Sequence, residues 1–186
     1  VNEGFVTRSV RDTAALLDAV HGPAAGDPYV APATLRPFAD EVGADVGTLR
    51  IGIRTDPPGR QYETHPDCVA AAQGAATLLE SLGHRVEPAD IPAFDDPSLV
   101  ESFLIRWLAG TAWGLDYWAR KTGVEITSDD VEPLTWALAE EGRRRTAGDY
   151  LVAVGGMQLL ARQVAAWHEG GIDLLLTPTL GEVPPP

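Results

Sequence analysis

Residues 49–89 read LRIGIRTDPPGRQYETHPDCVAAAQGAATLLESLGHRVEPA, and the changes of pattern within them decide the fold. Over LRIGIRT, Leu49, Ile51 and Ile53 alternate with other residues at the two-residue period of a strand. The turn-rich run DPPGRQYETHPD follows. Pro66 suits the first turn of a helix, where its missing N–H costs nothing. Val69, Ala72, Ala76, Leu79 and Leu82 then recur at helical spacing over 66–82, and Gly83 ends the run. HRVEPAD reads as the next strand. Strand, helix and strand in that order predict a βαβ unit with two parallel, neighbouring strands.

Outward from this unit the chain stays α/β. Residues 9–21 predict a helix with an apolar stripe of Val10, Ala14, Leu17 and Val20, a capping-box pattern at Ser9 and Asp12, and a stop at Gly22-Pro23. GPAAGDPYVAPATLRP reads as a Pro/Gly loop. Downstream, Leu99, Phe103, Trp107, Leu115 and Trp118 mark a helix from Asp96 to about Arg120, with Gly110 and Gly114 as candidate interruptions. TSDDVEPLTWALAEEGRRR reads as a further helix with Thr127 and Ser128 as caps. Thr146-x-x-Asp149 opens a longer one, which Gly170-Gly171 ends. IDLLLTPT is apolar on successive positions, as in a strand covered on both faces. The expectation is helices packed on a mixed, mostly parallel sheet, with Trp107, Trp113 and Trp118 in helix packing.

At 186 residues the prior is about one domain, long enough to bury a sizeable core. The chain starts with Val and stops at TPTLGEVPPP, so it reads as a piece of a longer protein, 1–186 forming part of a single larger domain. A net charge of −13 argues against nucleic acid, which needs a concentrated basic face. The one basic cluster, Arg143–Arg145, adjoins Glu140 and Glu141 and reads as a solvated, partly paired helix end. One cysteine, Cys68, excludes an internal disulfide, and the four histidines have no zinc-site spacing. No apolar run is long enough to span a membrane. The reading is a reduced, cytoplasmic enzyme piece.

Its chemistry is harder to find. None of the five serines sits in G-x-S-x-G or a Gly-rich turn. Ser9 and Ser128 read as caps, and Cys68 as a small buried side chain. No Gly-rich nucleotide-binding motif is present, and Asp95-Asp96 and Asp129-Asp130 read as caps and turns. The residues alone give an α/β piece without a visible reaction centre.

Three stretches, in order, resemble the amidase signature family. GFVTRSVRDTAALLDAVHGP is similar to the segment after that family's catalytic loop. LRIGIRTD and HPDCVAAAQGAATLLESLGHRVEPA are similar to its next strand–helix–strand unit. AGDYLVAVGGMQLLARQVAAWHEGGIDLLLTPTLGEVPPP is similar to its later long helix and the strand leading into a Thr-Pro-Thr turn. Within the family, LRIGIRTD and VEPLTWALAE resemble the cyclic-amide hydrolases of the aminohexanoate-dimer kind. The resemblance implies an α/β domain around a mixed sheet. It also implies hydrolysis of small linear or cyclic amides by a Ser–Ser–Lys triad, with backbone N–H groups binding the oxyanion. It implies no metal or organic cofactor. The expected partner is a small amide, with a homodimer left open.

The chain departs from that pattern decisively: it has no Gly-Gly-Ser-Ser loop and no Ser-Ser pair, and its lone Lys121 lies in WARKTG. All catalytic residues are therefore expected to precede Val1. Arg8 and Arg11, at a helix start whose dipole disfavours cations, are expected to meet carboxylates or carbonyls from upstream, and Arg11 alternatively Asp12 or an acidic residue from elsewhere. The substrate-binding candidates are Trp136, in EPLTWALAE, and Thr177 and Thr179, at the end of the last strand. Two alternatives stand beside the hydrolase. One is a tRNA-dependent amidotransferase subunit, disfavoured by the negative charge. The other is a noncatalytic α/β binding module of amidase descent.

Overall fold

Helix α1 (Val10–Val20) opens where the sequence says: Ser9 Oγ accepts the Asp12 N–H at 3.1 Å, one half of the expected capping box. This computed structural model describes residues 4–60 and 62–184 and divides into two compact units, Val1–Gly47 and Thr48–Pro186. In the first, a short helix α2 (Phe38–Glu41) follows the predicted loop directly. The Asp18 carboxylate of α1 satisfies its free N-terminal donors, accepting from Phe38 N at 2.7 Å and Ala39 N at 2.9 Å. Arg8 and Arg11 are exposed, and among the described residues neither forms an ion pair, so the expected Arg11–Asp12 pair is not made.

The second unit holds the predicted βαβ: β1 (Arg50–Ile53), α3 (Pro66–Ser81) and β2 (Arg85–Pro88). Helices α4 (Pro97–Thr122), α5 (Pro133–Arg143) and α6 (Ala147–Glu169) follow, and then β3 (Leu174–Leu176). The sheet order is β2-β1-β3, with both pairings parallel. Ile51 lies opposite Val86 on one side and Leu174 on the other. All three strands therefore point their carboxyl ends the same way.

Helix contacts in this unit depend on small residues. Ala112, Ala139 and Ala153 are buried, along with the larger Ile51 and Ile91. A methyl group on Gly142 of α5 would collide with the Leu108 carbonyl of α4. One on Gly156 of α6 would lie 2.7 Å from Ser102 Oγ of α4. Gly52 leaves room over β1 for the Trp167 ring, to which an added Cβ would come within 2.9 Å.

Four expectations change. Helix α4 runs unbroken through Gly110 and Gly114, because tertiary packing tolerates isolated glycines that cost only about 1 kcal/mol each. Helix α5 starts after Glu132, with Pro133 in its first turn. Thr127 instead closes a turn by donating both its N–H and its hydroxyl to Asp130, each at 2.8 Å, so neither Thr127 nor Ser128 caps a helix. Trp107, Trp113 and Trp118 stand on the surface, 54%, 67% and 52% exposed, instead of in the core. In β3, Leu174 is exposed, so the strand is not covered on both faces as expected. At Thr146 the capping box is complete.

Candidate functional site

Parallel strands gather the segments that leave their carboxyl ends, and in open α/β sheets ligands bind there. The residues after β1, β2 and β3 together line a cleft of about 370 Å³. Arg54, Tyr62 and Thr64 come from the segment after β1, Phe94 from the turn after β2, and Thr177 and Thr179 from the segment after β3. Leu175, Pro57, Pro178 and Leu180 make much of the wall apolar.

Hydrogen bonds fix the cleft's two flanking segments against each other. Arg54 N–H donates to Leu176 O at 3.0 Å, extending the β1–β3 pairing by one step. Farther on, His65 N–H donates to Gly181 O at 2.8 Å, and Thr64 Oγ1 donates to Thr55 O at 2.7 Å. Gly181 lies so close to Tyr62 that an added Cβ would stand 2.7 Å from the phenol ring.

Behind the cleft is a charge network. The Arg54 side chain is 5% exposed, and its Nη2 donates to Asp95 Oδ1 at 2.5 Å. Its Nε donates to Asp56 O at 3.2 Å, and its guanidinium lies 5.7 Å from the Phe94 ring centroid. The same Asp95 oxygen lies 3.4 Å from Arg60 Nε, which is also 3.7 Å from Asp56. Hydrogen bonding from Arg54 holds the Asp95 carboxyl below the usual aspartate range. Arg60 has φ 48°, a left-handed conformation that side-chain-bearing residues rarely adopt.

The structure brings two of the three sequence candidates together. Thr177 and Thr179 both line the strand-end cleft and are exposed to it. Trp136 lies elsewhere, half-buried in a separate cavity of about 270 Å³ lined by residues of α4, α5 and the loop between them. There the Arg143 guanidinium lies 5.4 Å from its ring centroid, held by Asp116 at 2.9 Å and Glu140 at 2.8 Å. Arg54, Tyr62, Phe94 and Asp95 were not among the sequence candidates. In the sequence Arg54 only ends an apolar strand and Asp95 reads as a turn or cap residue, and neither pattern reveals burial.

Among the described residues no serine contacts a lysine. Lys121 ends α4 over the Tyr117 and Trp118 rings, 5.5 and 4.8 Å from their centroids. Ser9 caps α1, Ser102 is buried, and Ser81 Oγ donates to Leu78 O. Among the described residues no three His, Cys, Asp or Glu side chains form a metal-binding group, and no helix is long and apolar enough to cross a membrane.

A family model described as Amidase matches residues 1–186. The chain belongs to the amidase family. Its relatives in that family include the 6-aminohexanoate-cyclic-dimer hydrolase of Pseudomonas sp. strain NK87, 36% identical over 96% of this chain and 36% of the relative. A putative amidase of Synechocystis is 32% identical over 98% of this chain and 32% of that protein. A solved 6-aminohexanoate cyclic dimer hydrolase, complexed with substrate, superposes with a TM-score of 0.85 at 35% identity, over 95% of this chain and 36% of that one. A bacterial aryl acylamidase of the amidase signature family shares the fold, with a TM-score of 0.74 at 22% identity. The amidase chain described here thus spans about 36% of the length of the cyclic-dimer hydrolases it matches.

Proposed function

We propose that this chain is part of a hydrolase that cleaves the carbon–nitrogen bond of small linear or cyclic amides. The observation that carries the reading is 36% identity to a cyclic-dimer hydrolase along 96% of the chain, reinforced by the cleft at the strand ends. A Ser–Ser–Lys set upstream of Val1, in the same larger domain, supplies the chemistry. One serine attacks the carbonyl, the second relays the proton, and a neutral lysine is the base. The segment described here contributes a wall of the acyl pocket. Thr177 and Thr179 offer hydroxyls to the substrate in the cleft, and Trp136 shapes a second subsite. The enzyme works in the cytoplasm on an amide partner, without a cofactor. None of the relatives named above is a tRNA amidotransferase subunit or a binding module, and no feature of the structure favours either alternative.

The test is amine release by the full-length protein from a panel that includes the 6-aminohexanoate cyclic dimer and linear alkyl amides. Turnover that disappears when the attacking serine becomes alanine is expected. A folded full-length protein that releases no amine from any member would overturn the reading.

A further inference from the structure

The buried guanidinium behind the cleft is the feature the amide reading leaves unexplained. Arg54 lines the cleft, yet its side chain is almost wholly removed from solvent. A buried, uncompensated guanidinium beside a cavity attracts carboxylates, since arginine binds them through paired, charge-assisted hydrogen bonds. Here Asp95 already occupies its Nη2 at 2.5 Å, from the turn that follows β2. The remaining charged groups nearby also cancel, Arg60 lying against both Asp95 and Asp56. The rest of the wall is apolar or carries hydroxyls: Leu175, Phe94, Tyr62, Thr177 and Thr179.

Resting on the amide-hydrolase reading above, we propose that Asp95 is a specificity-determining residue that masks Arg54 and so reserves the cleft for uncharged acyl groups. Neutral alkanoyl and cyclic amides fit a site with no net charge. An amide whose acyl chain ends in a carboxylate meets a guanidinium already paired and gains nothing for the water it loses. Because Arg54 keeps the Asp95 carboxyl ionised well below neutral pH, the mask holds under working conditions. Removing the aspartate's charge while keeping its shape leaves Arg54 in place with its positive charge uncancelled.

The experiment uses the full-length enzyme and two matched anilides, hexanoyl and adipoyl, the second carrying a free terminal carboxylate. Wild type is expected to favour the hexanoyl compound in kcat/KM. Asp95→Asn is expected to shift that ratio at least tenfold toward the adipoyl compound, mainly through KM, and Arg54→Met added to it should abolish the shift. A ratio within twofold of wild type in folded Asp95→Asn, or a wild-type preference for the carboxylate, would overturn the proposal. If Asp95→Asn does not fold, the double variant Arg54→Met/Asp95→Leu, which replaces the pair by apolar groups, decides. It should retain the neutral preference within threefold, and a larger change overturns the mask. Calorimetric binding of hexanoate and hexanamide to the same proteins reads the charge preference without turnover. An enzyme that hydrolyses neither anilide, yet binds hexanoate at least tenfold more tightly as Asp95→Asn, fails as an amidase and keeps the mask.

Discussion

Asp95 reaches Arg54 from the turn after β2, its Oδ1 lying 2.5 Å from the Nη2 of an arginine that leaves β1. The contact joins the exits of two neighbouring parallel strands. It also ties folding to pH. The folded-state pKa of Asp95 is lowered, chiefly by the hydrogen bond from Arg54, while the unfolded chain keeps an ordinary aspartate value of about 4. The unfolded state therefore binds the proton more readily. The stabilisation is complete above the ordinary aspartate range and is lost as pH falls through the lower, folded value. Asp149 is lowered too, chiefly by the backbone N–H of Thr146. The melting temperature of the full-length enzyme should fall steeply below about pH 4, and Asp95→Asn should flatten part of that fall. Identical pH profiles for variant and wild type would contradict the role given to Asp95.

Glycine at 142 lets α5 lie against the α4 backbone at Leu108. Gly142→Ala should cost about 1–3 kcal/mol through overpacking, read by denaturant unfolding. Gly74, on the exposed face of α3, has open space around it. Gly74→Ala should instead stabilise by about 0.5–1 kcal/mol. Equal effects at the two sites would remove the case for close α4–α5 packing.

Helix α6 begins with a complete capping box at Thr146 and Asp149. Thr146→Ala should cost about 1 kcal/mol, and Thr146→Ser should recover most of it. Both can be measured by thermal unfolding on one background. A serine variant as weak as the alanine one would show that the hydroxyl is not what holds this helix end.

Trp136→Ala in the full-length enzyme should change the preference among amides more than it changes stability. A lowered melting temperature with equal losses for every substrate would make the tryptophan a packing partner of Arg143 and nothing more.

Several large side chains of the second unit are exposed, among them Trp107, Trp113, Trp118, Leu151 and Val152. So many large exposed apolar side chains give a hydrophobic dye surface to bind. The 186-residue chain, expressed alone, should bind a hydrophobic dye strongly and melt without cooperativity. A monodisperse sample with a sharp transition would contradict this.

Much of the fold was legible because strand and helix periods are local signals. The alternation of Leu49, Ile51 and Ile53 locates β1, and Gly83 closes α3 within two residues of its observed end at Ser81. The surface position of the α4 tryptophans was not legible, since an apolar stripe says which face wants covering and not what covers it. Thr127 and Ser128 misled because both are good caps, and only the Asp130 turn shows that the chain folds back first. At the candidate site, Thr177 and Thr179 could be picked out because they directly follow an apolar strand. Arg54 and Asp95 are 41 residues apart, and no local pattern predicts that they meet.

The most direct test of the central claim is a crystal structure of the full-length enzyme with its attacking serine changed to alanine, bound to a neutral amide. The account predicts the acyl group in the strand-end cleft, within contact of Thr177, Tyr62 and Phe94. An acyl group seated in the Trp136 cavity, or anywhere clear of the three strand ends, would contradict it.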